Sequence, residues 1–140
     1  MARFLDTNIL VRYLVRDDEE KAMACLSLLE RAATGEEKLV TTDLVIAEVV
    51  WVLGSSRWYG LARAKIVELL KPIVSLRGLQ IPSKGWLPRV LEIYRDTQVD
   101  FIDAFNAVFM DRMGVEEIYS YDQDFDALSF VSRMEPSVQT

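Results

Sequence analysis

Near its beginning the chain reads Arg3-Phe4-Leu5-Asp6-Thr7-Asn8-Ile9-Leu10, and the hydrophobic period changes inside those eight residues. Arg3-Phe4-Leu5 is a short apolar run that ends on an acid, the pattern of a buried strand in an α/β sheet. From Asn8 onward, Ile9, Leu10, Tyr13 and Leu14 recur at helical spacing. A strand followed at once by a helix is the opening of an alternating α/β fold.

A second helix is expected from Asp18, whose first turn is acidic, to the Thr34-Gly35 stop. Residues 38–42 read as a strand, and Asp43 as the N-cap of an apolar helix reaching Leu53. An amphipathic helix over 61–75 leads to a short strand at 78–82, and Ser83 is placed as the cap of a helix ending near Thr97. Phe101–Met113 is a further helix, stopped by Gly114. Strands at 117–121 and 130–134, with a short helix between, complete the series. Strands separated by helices imply a parallel sheet with helices on both faces. Ligands of such sheets bind off the carboxyl ends of the strands.

The 140 residues suit one domain spanning 1–140, with no repeat and no low-complexity linker. At 51% apolar and 27% charged, the chain has the composition of a packed globule rather than a disordered one. The single Cys25 forms no intrachain disulfide, which suits a reducing compartment. An acid at position 6 interrupts any signal-peptide apolar region, and the apolar stretch 44–53 is far short of a membrane span. A cytoplasmic protein is therefore expected.

There is no histidine. That excludes Ser-His-Asp triads, histidine acid–base pairs and histidine-ligated zinc or haem. Sixteen basic against 22 acidic residues give a net charge of −6, so the molecule as a whole repels nucleic acid. The window 57–89 is the exception, with Arg57, Arg63, Lys65, Lys71, Arg77, Lys84 and Arg89 against Glu68 alone. Such a run is ordinarily a solvated helix face; it is also the one source of fixed cations for an anionic partner.

Four acids stand out. Asp6 ends the first strand and Asp122 follows the strand over 117–121, so both sit where α/β sheets bind ligands, although either also serves as a helix cap. Glu48 is the only charge between Asp43 and Arg57, with Leu44, Val45, Trp51 and Val52 one turn away. It lies either on a narrow polar edge or buried with a partner, and a metal ion would remove the burial penalty. Asp100 and Asp103 imitate a capping box; Asp103 shares the face of Ala107 and Met110 and is favoured as the ligand, with Asp100 as its cap. Oxygen-only donors suit Mg²⁺ or Mn²⁺.

Competing motifs fail on inspection. Asp122, Asp124 and Asp126 imitate the start of an EF-hand loop, but Ala127 stands at the sixth position and Arg133 at the twelfth. Asn8 occupies the place where an aspartyl-phosphate phosphatase needs a second Asp, and no glycine-rich phosphate loop is present. Trp51, Trp58 and Tyr59 offer faces for base stacking. Aromatics beside an apolar helix ordinarily belong to a core or a subunit interface, and that is expected here.

Asp6-Thr7-Asn8, Glu48, Asp103-Ala104 and Ser120-Tyr121-Asp122-Gln123-Asp124-Phe125, in this order and spacing, resemble the PIN-domain ribonucleases, more narrowly the VapC-type toxins of VapBC toxin–antitoxin pairs. The resemblance spans essentially the whole chain. It implies a three-layer α/β/α sandwich with a central, mainly parallel sheet, and an endoribonuclease site dependent on Mg²⁺ or Mn²⁺. By position, Asp6, Glu48, Asp103 and Asp122 match the family's acidic residues. Thr7 or Asn8 matches the polar support beside the first acid, and Ser120 stands where the family has Thr or Ser. Asp100 and Asp124 are secondary. The resemblance also implies an RNA substrate, a homodimer and a small basic antitoxin. The alternative is a non-catalytic PIN-fold scaffold whose acidic cleft binds a basic protein.

Overall fold

Asp6, Asp18, Thr42 and Asp100 each begin a helix by accepting a hydrogen bond from a backbone N–H that the helix itself leaves unpaired. Arg16, Gly35 and Gly114 end helices in the left-handed conformation. In the computed structural model, which describes residues 1–139, these signals delimit β1 (Arg3–Phe4), α1 (Thr7–Val15), α2 (Glu19–Thr34), β2 (Leu39–Val40), α3 (Asp43–Gly54), α4 (Arg63–Val74), β3 (Leu79–Gln80), α5 (Leu87–Asp96), α6 (Phe101–Met113), β4 (Glu117–Tyr119), a 3₁₀ turn (Gln123–Ala127) and β5 (Ser132–Met134). The order is the one expected, and the class is α/β.

The chain divides into two compact units, Met1–Gly85 and the residues from Trp86 on. In the first, β2 lies between β1 and β3, all parallel, with Arg3, Leu39 and Leu79 in one row and Phe4, Val40 and Gln80 in the next. Hydrogen bonds from Leu5 N to Val40 O (2.8 Å) and from Thr41 N to Gln80 O (2.9 Å) extend the ladder by one residue. The Thr41 hydroxyl donates to Leu5 O at 2.7 Å, tying the ends of β1 and β2 together inside the core. Gly78 has to be glycine: a Cβ there would collide with the carbonyl oxygens of Ala32 and Glu37, between which the chain enters β3.

Leu5, Leu10, Ile46, Val49, Leu53, Ile66, Leu70 and Leu79 are fully buried and form this unit's core. Each such side chain contributes about 1.5–3 kcal/mol relative to exposure. In the second unit β4 and β5 pair in parallel, with Glu117 opposite Ser132 and Tyr119 opposite Met134. Helices α5 and α6 pack together, Leu87, Val90, Leu91, Ala104, Ala107 and Val108 on them are buried, and Tyr94 meets Phe101 edge-on at 6.2 Å.

Two expected caps are corrected. Thr42, not Asp43, caps α3: its backbone is extended and its hydroxyl accepts from Val45 N at 3.3 Å, while Asp43 is the first helical residue. Ser83 caps nothing; it is buried and donates to the Asp43 carboxylate, and α5 starts at Leu87 with Pro88 in its first turn. No helix among the described residues is long and apolar enough to cross a membrane.

Candidate active site

In the first unit, the end of β1 delivers Asp6 to the start of α1. Its extended backbone lets the carboxylate accept from Thr7 N at 2.8 Å, so Asp6 is a cap. Capping uses one oxygen and leaves the group exposed at the carboxyl end of the strand. Thr7 is 9% exposed, and its hydroxyl has no hydrogen-bond partner. A buried hydroxyl without a partner costs about 1–3 kcal/mol, so the geometry holds it in place at the expense of stability.

Glu48 takes the polar-edge alternative. It is exposed on α3 between Leu44 and Trp51, which are 80% and 63% exposed, while Ile46, Val49, Val50 and Leu53 face the core. It faces Asp6, Thr7 and Asn8 across a cleft of about 490 Å³, whose other walls carry Arg12, Asp17, Trp58 and Tyr59. Asp17 accepts from Arg12 Nη1 and from the Tyr59 hydroxyl, both at 3.2 Å. Burial pushes the Tyr59 phenol up, and Asp17 pushes it further, so it remains a hydrogen-bond donor. The sequence reading missed Arg12 and Asp17 in this cleft. It also expected Trp51 and Trp58 in a core or an interface, and the core half of that is overturned: both are largely exposed.

In the second unit, acids crowd the start of α6. Asp100 caps the helix by accepting from Asp103 N at 3.0 Å, as the capping-box reading expected. Asp103 is half-buried on the face of Ala107 and Met110. Its carboxyl is pushed up to about 6, by burial first, then by the charge of Asp100, the charge of Asp122 and a hydrogen bond with it, and Asp124. Every neighbour that moves it is an acid. Beyond β4, Asp122 N donates to Ser120 Oγ at 3.0 Å, and the Asp122 carboxylate accepts from Asp124 N at 2.9 Å. Ser120, Asp122 and Asp124 thus form one turn against Asp103. Asp126, the third acid of the EF-hand-like run, is taken by Arg133 at 3.1 Å.

Among the described residues no three His, Cys, Asp or Glu side chains already stand as a cage for a cation. The donor chemistry nevertheless fits a hard divalent ion. Asp103 and Asp122 share a hydrogen bond that needs a proton between two carboxyls, and a cation in that place would satisfy both oxygens without one.

The basic window is partly spent on the fold. Lys84 Nζ donates to the carbonyls of Leu76 and Leu79, the latter at 2.6 Å, Lys65 pairs with Glu68 at 3.6 Å, and Arg89 pairs with Asp111 at 3.2 Å while lying over the Phe130 ring.

A VapC ribonuclease of Aquifex aeolicus is 27% identical over 128 residues, covering 91% of this chain and 93% of that protein. Two solved structures are more distant. A VapBC2 complex from Rickettsia felis, bound to a DNA fragment from its promoter, is 13% identical with a TM-score of 0.38, over 96% of this chain and 98% of that one. A Mycobacterium tuberculosis VapC toxin that cleaves the sarcin–ricin loop is 19% identical with a TM-score of 0.34, over 92% and 96%. The PIN domain model matches residues 3–131, nearly the whole length from β1 to the start of β5, and the chain belongs to the PIN domain family.

Proposed function

We propose that this chain is a divalent-metal-dependent endoribonuclease, the toxin of a toxin–antitoxin pair, working as a single PIN domain over 1–140. The observation that carries the reading is the Asp103 carboxyl, raised to about 6 among Asp100, Asp122 and Asp124. Such a concentration of negative charge is unfavourable in the bare protein and favourable around Mg²⁺ or Mn²⁺. The VapC ribonuclease relative supports the choice of RNA as substrate.

In this reading Asp6 and Asp122 would hold the metal directly, and Glu48 and Asp103 would serve as further ligands or as water-orienting bases. A bound ion would supply charge neutralisation at the phosphodiester and acidity to water, the latter without need of a histidine base. Asp100 orients Asp103 by fixing its backbone N–H, and Ser120 orients Asp122 in the same way. Thr7 lies beside Asp6 with its hydroxyl buried and without a partner, so it lines the cleft without reaching substrate. In-line attack by water leaves a 5′ phosphate and a 3′ hydroxyl.

A small basic antitoxin fits the same acids, because a guanidinium bridges paired carboxylates bidentately. The exposed Leu44 and Trp51 on α3 fit a homodimer surface. Incubating the purified chain with single-stranded RNA in Mn²⁺ and in EDTA tests the proposal. Cleavage in Mn²⁺ alone is expected; binding without cleavage in either condition would make the chain a non-catalytic scaffold.

A further inference from the structure

Trp58 is a large apolar ring left 57% exposed on a segment that is otherwise tightly built. Trp58 N and Gly60 N both donate to Ser55 O, at 3.0 and 2.9 Å, and Leu61 N donates to Leu53 O at 2.8 Å. Gly60 closes the 55–60 turn with φ +57°, a conformation that suits glycine. The turn is therefore fixed by its backbone, and the tryptophan is presented rather than packed. The Arg57 guanidinium lies 6.0 Å from the ring centre, within cation–π range. Beside it, Tyr59 is anchored through its hydroxyl to Asp17, which also holds Arg12.

The cleft that carries Asp6 and Glu48 is thus also lined by the aromatic rings of Trp58 and Tyr59, and its one cation, Arg12, is held by Asp17. We propose that Trp58 is a stacking platform for a nucleobase of single-stranded RNA, next to the acids of the Asp6–Glu48 cleft. The proposal rests on the ribonuclease reading and adds to it the residue that grips the strand. A flat ring takes any base on its face, with Arg57 placed to meet a phosphate of the same strand. A protein interface fits this cleft less well: charged residues are depleted from interface cores, and Arg12, Asp17 and Glu48 share it with Trp58.

The test is equilibrium binding of a short labelled uridine oligomer, and of its abasic ribose-phosphate counterpart, in Mg²⁺. Full-length Asp103→Asn serves as the background, so that binding is read without turnover. Adding Trp58→Ala is expected to weaken the uridine oligomer about tenfold. Trp58→Phe should restore most of the affinity, and the abasic oligomer should bind all three forms alike. Equal loss for both oligomers, or none for either, would overturn the platform. So would intact RNA binding accompanied by a fall in sedimentation from dimer to monomer, which would make Trp58 a contact between copies of the chain. A wild-type chain that cuts RNA in Mn²⁺ while Trp58→Ala binds normally refutes only the platform. A wild-type chain that neither binds nor cuts RNA removes the ribonuclease reading and the platform together.

Discussion

Asp100 stabilises α6 and burdens Asp103 at the same time: its carboxylate accepts a hydrogen bond from Asp103 N at 3.0 Å, while its charge raises the Asp103 carboxyl. The first effect is a helix cap, and the second is repulsion between two acids three residues apart.

That relationship fixes a pH dependence. Asp103 rises from its ordinary 3.8 to about 6, so the folded chain holds this proton more tightly than the unfolded one. The contribution is fully present below about pH 3.8 and is lost as pH rises through about 6. Asp103→Asn removes the dependence. In EDTA at pH 7 the variant should be more stable than wild type by about 1 kcal/mol, after allowing for solvent screening of a half-exposed group. The gain should vanish near pH 4, as thermal melts between pH 4 and 7 would show.

The two roles of Asp100 separate by substitution. Asp100→Asn keeps an acceptor for Asp103 N and removes the charge, so the Asp103 carboxyl should titrate lower at little cost in stability. Asp100→Ala removes both and should cost about 1 kcal/mol. Carboxyl-carbon NMR of Asp103 reads the titration, and urea unfolding reads the stability.

Local features were legible because cap and capped residue lie close in sequence. Phe101–Met113 is bracketed by Asp100 and Gly114 and could be read to the residue, and the second helix, read from about Asp18 to near Gly35, is capped by those two residues. The misplaced caps have a distant cause. Asp43 is engaged by Ser83, forty residues away, and no local pattern shows that Thr42 therefore takes the cap. The Asp17–Tyr59 hydrogen bond spans 42 residues and was invisible for the same reason. Glu48 could be singled out as a lone charge in an apolar helix, but exposure on an edge shared with Leu44 and Trp51 depends on which face the sheet covers. Lys84 looked like a free cation because carbonyl acceptors leave no trace in a sequence.

Thr7 offers a contrast between stability and activity. Thr7→Val removes a buried hydroxyl that has no partner and preserves the shape of the side chain. Stability should rise by about 1 kcal/mol, and RNA cleavage should be unchanged, because a hydroxyl closed off from solvent meets no substrate. Thr7→Ser should keep both the stability and the cleavage rate. Melting temperature and initial rate, measured on the same preparations, check both, and a slower Thr7→Val would contradict the purely structural Thr7.

The basic window should divide by function. Lys84→Met loses hydrogen bonds from a charged donor to Leu76 and Leu79 and should cost about 1.5–3 kcal/mol, with no change in how salt affects RNA binding. Arg57→Ala should leave stability unaltered and lower the slope of log K against log salt by about 0.7, one phosphate contact on a single strand. Fluorescence anisotropy from 50 to 300 mM salt measures both slopes.

The proposed function makes Asp6 and Asp103 each necessary for metal-dependent cleavage. The most direct measurement is the Mn²⁺-dependent rate of RNA cleavage by Asp6→Asn, Asp103→Asn and the double variant. Asn at position 6 still accepts from Thr7 N, so that helix start survives. Each single variant should lose at least about 100-fold, and the double variant should lose no more than the worse single one, because groups acting as a unit are non-additive. Losses that multiply, or a single variant that cleaves at the wild-type rate, would contradict the account.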